Sequence, residues 1–287
     1  MGIGAGKPRA PAAAARPFGL ATVLVLASLA VLAFAGNSLI ARYAVAGGGI
    51  TPVAFSVVRL ATGAIVLAPL LLGRGGTWTF GGGLSLFAYV AMFSWAYVEL
   101  PAATGALILF AVVQATILLA GMARGERVGW LGWTGLVLSL AGLAVLLIPQ
   151  VEGGRLLPSA FMAVAGIAWG AYTMIGRASA GAGRYTARSF AIGAVLALPL
   201  LAFDMTMPET PGLLLAMLSG AVTSGLGYVI WNRVSPSLGL ATLATVQLAT
   251  PLVAALGGIA LLDELVTSEL IVAGVLIVTG IGLTLRR

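Results

Sequence analysis

One apolar stretch with a polar centre constrains this chain more than any other. Residues 237–264 read SLGLATLATVQLATPLVAALGGIALLDE, with Thr242, Thr245, Gln247, Thr250 and Pro251 in the middle. About 20 apolar residues cross a bilayer core, so this segment reads as a transmembrane helix. A proline inside a helix removes one N–H and presses on the carbonyl four residues earlier. Here that carbonyl belongs to Gln247, which then offers a side-chain amide and a loosened backbone oxygen. Polar backbone at membrane depth is tolerated only within protein or along a watery cavity. The segment therefore faces the interior of a helical assembly.

Residues 101–126, PAATGALILFAVVQATILLAGMARGE, echo it. Gln114 falls on Gln247 at an offset of 133, and each segment ends in a short loop carrying a glutamate, Glu126 or Glu264. Further matches follow in order. Gly63-Ala64 with Pro69-Leu70-Leu71 recurs as Gly193-Ala194 with Pro199-Leu200-Leu201. Ile40-Ala41-Arg42 recurs as Ile175-Gly176-Arg177, and Gly125-Glu126 as Asp263-Glu264. Offsets between 130 and 138 point to an internal repeat.

The chain has 287 residues, 60% hydrophobic and 8% charged, far from the roughly one-quarter charged of soluble domains. Ten spans are read at 18–44, 51–73, 80–98, 101–122, 130–149, 157–176, 186–203, 211–231, 238–262 and 268–285, leaving no separate soluble domain. The net charge of +7 does not indicate nucleic acid, because the basic residues stand singly at span ends. With no Cys and no His, disulfides, thiol nucleophiles, haem and most zinc chemistry are excluded. Residues 1–17 read as a flexible basic tail. A cleavable leader ending near Ala33-Phe34-Ala35 is the rival reading.

Charge placement tests the count. With a cytoplasmic N-terminus, inner segments hold Lys7, Arg9, Arg16, Arg74, Arg124, Arg127, Arg177, Arg184, Arg188, Arg233, Arg286 and Arg287. Outer segments hold only Arg42 and Arg155, and Arg59 lies within the second span. That is a positive-inside bias, placing both termini in the cytoplasm and the protein in the cell's inner (plasma) membrane. An odd repeat of five spans must insert its second copy upside down, as in secondary transporters with a midplane site.

The ten spans, the five-plus-five repeat and the glutamate-bearing loops after spans 4 and 9 resemble the EamA branch of the drug/metabolite transporter superfamily over residues 18–285. Within that branch the chain is most similar to the YddG-type exporters of aromatic and other neutral amino acids. The resemblance implies an all-α membrane protein: two inverted five-helix repeats, 18–149 and 157–287, around a central cavity. Helices 1–4 and 6–9 would form the basket and helices 5 and 10 its outer supports.

Polar groups within spans face inward or serve packing. Gln114 and Gln247, related by the repeat, are the leading pair for flanking a substrate. Interhelical glue, worth about 0.6 kcal/mol on average, is the alternative. Asn37, Tyr89, Trp169, Tyr172 and Thr250 join them as candidate cavity lining, since aromatic walls with a few polar groups suit a flat or apolar ligand. Arg59, about 12 Å along its helix from Thr51 at 1.5 Å per residue, has three readings. It snorkels to the interface, pairs with an acid or helix end, or draws in a substrate carboxylate. Trp78, Trp130 and Trp133 read as interfacial anchors. Trp95, Tyr97, Tyr228 and Trp231 divide between that role and the cavity. Gly166 and Gly170, and Gly121 and Gly125, permit close helix approach. Pro251 is either a hinge or a static kink.

No Asp, Glu or His lies at the centre of a span, unlike the buried glutamate of the small multidrug relatives that the resemblance brings in. A zwitterionic or neutral solute needs no counter-ion, and facilitated movement is favoured over obligate proton coupling. Glu126 and Glu264 read as loop braces. The expectation is an alternating-access permease exporting neutral or aromatic amino acids, with no cofactor, no metal and no catalytic residue. A drug-like or sugar-type cargo is the alternative. A membrane enzyme lacks an acid–base pair, and a passive channel is a distant rival. One chain holds both halves of the pathway, so a monomer suffices.

Overall fold

The computed structural model describes residues 19–47, 49–72, 78–123, 129–179, 181–204, 206–238 and 240–284. The tail at 1–17 and the loop carrying Arg124, Gly125, Glu126 and Arg127 lie outside them, as do the side chains of Thr242 and Thr245.

The described residues form ten helical rods. α1 is Leu20–Ala46. α2 is Pro52–Leu67, tightening into a 3₁₀ turn at Ala68–Leu72. α3 is Phe80–Ala96, α4 is Ala102–Ala123, α5 is Trp130–Glu152 and α6 is Leu156–Ala178. α7 is Ala182–Ala197 with a 3₁₀ turn at Leu198–Ala202. α8 runs Thr210–Ser237 and contains a π-helical stretch, Ser219–Leu226. α9 is Leu240–Leu262 and α10 is Ser268–Thr284. Six rods have described stretches long and apolar enough to cross a membrane, and the rest carry shorter apolar stretches. Exposed Leu24, Leu32, Ile65, Val137, Ile167 and Leu256 give these rods the apolar outer surface that lipid requires.

The sequence-based spans match these rods to within a few residues. The main shifts are an earlier start to α7 and a longer α8. Breakers set the ends. Pro52 opens α2 behind Thr51, whose side chain accepts from the Ala54 N–H at 3.2 Å. The Pro69 and Pro199 turns close α2 and α7 in the same 3₁₀ form, so those echoed motifs have the same local structure.

Packing rests on small residues. α3 and α6 run antiparallel, with Gly81 facing Ile175 and Trp95 facing Phe161. Gly166 and Gly170 bring α6 against Leu109, Val112 and Thr116 of α4. α5 and α10 pair antiparallel through Gly142 and Gly280. α4 is buried all round from Ala102 to Ala111. The rod containing Ala33-Phe34-Ala35 is α1, and Phe34 is buried there among Trp169, Tyr228 and Trp231.

The tightest approach joins α2 and α8. A Cβ on Gly220 would strike the Arg59 carbonyl oxygen and Thr62 Oγ1. Gly220→Val should therefore destabilise the fold by about 1–3 kcal/mol through overpacking, read as a lower unfolding temperature in detergent. Gly274→Ala, with open space at the same position, should leave that temperature unchanged.

Candidate functional site

The centre of the bundle is a closed polar and aromatic cluster. Asn37 comes from α1, Arg59 from α2, Tyr89 from α3, Trp169 and Tyr172 from α6, Tyr228 from α8 and Gln247 from α9. None of these seven exceeds 4% exposure.

Arg59 is the hub. Its Nε donates to Ser224 Oγ at 2.8 Å. Its Nη2 donates to the Tyr228 hydroxyl at 2.7 Å and to that of Tyr89 at 3.4 Å. The guanidinium lies over the rings of Phe93 (5.0 Å) and Tyr89 (5.4 Å). Among the described residues no carboxylate pairs with it, and Nη1 is buried without a partner. Arg59 is fully buried, and among the described residues its partners are hydroxyls and not an acid. The residue is too deeply enclosed for its stem to reach the surface.

Asn37 orders the partners of Arg59. Its Oδ1 accepts from Ser219 Oγ at 2.8 Å, from Ser224 Oγ at 3.3 Å and from Thr223 Oγ1. Its Nδ2 donates to Ser224 Oγ and the Tyr228 hydroxyl, both at 3.2 Å. The π-helical stretch makes this convergence possible. Its wider turn places Ser219, Thr223 and Ser224 together toward α1 and α2. Such bulges recur at functional sites.

The aromatic side is continuous with the polar one. Trp169 stacks on Tyr172 (5.3 Å) and meets Tyr228 (4.6 Å), Tyr89 (5.0 Å) and Phe34 (5.2 Å). Its indole N–H donates to Gln247 Oε1 at 3.2 Å. Asn232 Nδ2 reaches the Tyr172 hydroxyl at 3.0 Å and Thr186 Oγ1 at 3.1 Å, tying α6, α7 and α8 together.

Six of the eight sequence-predicted site residues thus meet: Asn37, Arg59, Tyr89, Trp169, Tyr172 and Gln247. Thr250 lies one turn beyond Gln247, buried, with its hydroxyl unpartnered. Gln114 is half-buried on α4 whereas Gln247 is fully buried on α9, so the two glutamines differ in burial. Pro251 stands within α9, which continues through it to Leu262. Sequence reasoning left Tyr228 and Trp231 between belt and cavity, and both are fully buried. It passed over Ser219, Thr223 and Ser224 altogether. Their signal was present: a run of Ser, Thr and Gly inside an otherwise apolar span. Trp78, Trp130 and Trp133 are exposed.

Both ends of the bundle are fastened by arginine. At one end Arg42 Nη1 donates to the carbonyls of Tyr97 (3.1 Å) and Val98 (2.9 Å) at the close of α3. At the other, Arg177 Nη1 donates to those of Ser235 (2.8 Å) and Leu238 (3.1 Å) at the close of α8. Each supplies donors to orphan carbonyls where positive charge suits the helix dipole. Glu264 completes the Arg42 end. Its carboxylate accepts from the N–H groups of Ala102 (2.7 Å) and Ala103 (3.4 Å), capping α4, and pairs with Arg42 at 3.8 Å. Its sequence reading as a brace agrees with this contact. A concavity of about 570 Å³, lined by Tyr43, Glu209, Asp263 and these two residues, opens beside it.

Comparison with known proteins follows the same outline. The EamA-like transporter family matches residues 157–286. A Pseudomonas aeruginosa protein described as uncharacterised is 44% identical over 276 residues, spanning 91% of this chain and 94% of its own length. A protein of Streptantibioticus cattleyicolor named as a probable terminal-alkyne amino-acid exporter is 27% identical over 217 residues, covering 72% of this chain and 71% of its own. A crystal structure superposes with a TM-score of 0.67 at 19% identity, covering 93% of this chain and 98% of its own, so the fold is shared.

Two stability outcomes follow from these contacts. Asn37→Ala strands several buried hydroxyls and should cost about 1–3 kcal/mol, whereas Thr250→Val removes an unpaired hydroxyl and should be neutral or slightly stabilising; chemical denaturation in micelles compares them. Glu264→Ala uncaps α4 and should cost about 0.5–2 kcal/mol. A double-mutant cycle with Arg42→Ala should assign less than about 1 kcal/mol of that to the partly exposed ion pair.

Proposed function

Residues 157–286 of this chain form an EamA-like transporter family domain, and from that premise we propose that the chain is an inner-membrane, alternating-access permease exporting neutral or aromatic amino acids or closely similar metabolites. The observation that carries this reading is the closed cluster around Arg59 and Trp169. It draws on six helices, α1, α2, α3, α6, α8 and α9, and combines aromatic walls with a few fixed hydrogen-bonding groups. Such a lining suits an amphiphilic organic solute. The amino-acid cargo of the Streptantibioticus relative points the same way.

The ten rods form two inverted five-helix repeats, with α5 and α10 as outer supports. Under that relation Arg42 and Arg177, 135 residues apart, are one device used twice. Each fastens the end of a helix at its own face of the bundle. Releasing one while the other holds exposes the cluster to one side at a time, which is the requirement of alternating access. Pro251 supplies flexibility in α9, and Gln114 and Gln247 flank the path of the solute. Termini lie in the cytoplasm, a single chain suffices, and no cofactor or metal takes part.

The test is counterflow in proteoliposomes. Vesicles preloaded with phenylalanine, threonine or methionine should accumulate labelled external solute saturably, with or without a pH gradient. Trp169→Ala, Gln247→Ala and Gln114→Ala should each lower the initial rate by about tenfold or more, as loss of a desolvated contact does. Failure with every amino acid would return the cargo to drug-like or sugar-type solutes. Dependence on a pH gradient would overturn the uncoupled mechanism.

A further inference from the structure

Resting on the reading that the central cluster holds the solute, we infer that it selects by the carboxylate. Its ligand class is a small monocarboxylate with an aromatic or apolar tail, and an α-ammonium group is dispensable. Arginine keeps its charge at every physiological pH. Here that charge is fully buried, and its described partners are neutral: Ser224, Tyr89 and Tyr228. A buried cation without a counter-ion is a costly arrangement, and in membrane proteins such groups mark solute pathways.

The geometry narrows the class. Nε and Nη2 are held by the hydroxyls, and the rings of Phe93 and Tyr89 fix the guanidinium from its faces. Nη1 is left with both of its N–H groups unspent. A carboxylate oxygen accepts such donors as a charge-assisted pair. An ammonium group fares badly in the same place. It is repelled by Arg59, and the two amide acceptors at its level are engaged, Asn37 Oδ1 by three hydroxyls and Gln247 Oε1 by the Trp169 indole, while the unpartnered Asn232 Oδ1 sits beside Tyr172 and Thr186 and not among the described partners of Arg59. Phe34, Trp169 and Tyr172 continue the cluster as an apolar surface for a ring or short chain.

The experiment measures unfolding temperature by intrinsic fluorescence on the full-length protein in detergent. Four probes are titrated: L-phenylalanine, 3-phenylpropanoate, phenethylamine and phenylalaninamide. The same four compete against labelled phenylalanine in counterflow. Phenylpropanoate should match phenylalanine within about threefold in half-effect concentration, while the two carboxylate-free probes fall short by about tenfold or more, the cost of one charged hydrogen-bonded pair. Arg59→Met, a long apolar replacement for a buried charge, should still fold and should lose this preference, whereas Arg59→Lys should keep part of it. A structural role for Arg59 would alter overall activity but not the order of the probes. Equal binding of phenethylamine and phenylpropanoate overturns the inference while leaving amino-acid transport standing, as does an unchanged order in Arg59→Met. Binding of phenylpropanoate without transport of any amino acid supports the inference and removes the cargo reading. No response to any carboxylate overturns both.

Discussion

One buried guanidinium governs the interior of this protein. Taking Arg59 out of water leaves a charge that must be met by dipoles, because no acid of the described bundle pairs with it. The neighbourhood has that character. Two tyrosine hydroxyls and a serine accept from it, aromatic faces flank it, and Asn37 orients two of these hydroxyls, accepting from Ser224 and donating to Tyr228. A π-helical stretch in α8 carries Ser224 within reach, and Gly220 lets α8 lie against the backbone of α2 at the same level. Local backbone geometry, packing and electrostatics therefore serve one group.

The ends of the bundle are held by a different principle. Helix termini leave orphan donors and acceptors that water cannot always reach. Arg42 and Arg177 satisfy carbonyls at opposite ends, and Glu264 satisfies N–H groups at the start of α4. These contacts are partly exposed and individually modest. The centre is fully buried and the end contacts are partly exposed, so the ends can be exchanged more readily than the core.

Much of this was legible beforehand. Apolar length and breakers located all ten rods, because the bilayer fixes span length and backbone satisfaction forbids alternatives. Polar side chains within spans pointed to Asn37, Arg59, Tyr89, Trp169, Tyr172 and Gln247, because lipid excludes such groups from the outer face. The expected leading pair, Gln114 and Gln247, differ in burial. Symmetry in sequence pairs them, but burial is decided by neighbours, and α4 leaves Gln114 half-buried where α9 encloses Gln247. Ser219, Thr223 and Ser224 went unnoticed because a π-helical turn has no simple sequence period.

The sequence by itself determined that this is a multi-span helical membrane protein with an EamA-like domain, where its helices start and stop, and which side chains must face inward. Those follow from hydropathy, proline, glycine and charge, which act locally along the chain. Tertiary structure alone decided that no acid among the described residues pairs with Arg59, that Tyr228 and Trp231 are core and not belt, and that an indole donates to Gln247. Partners for a buried group come from helices distant in sequence, and the free energy of a charge depends on what surrounds it in three dimensions.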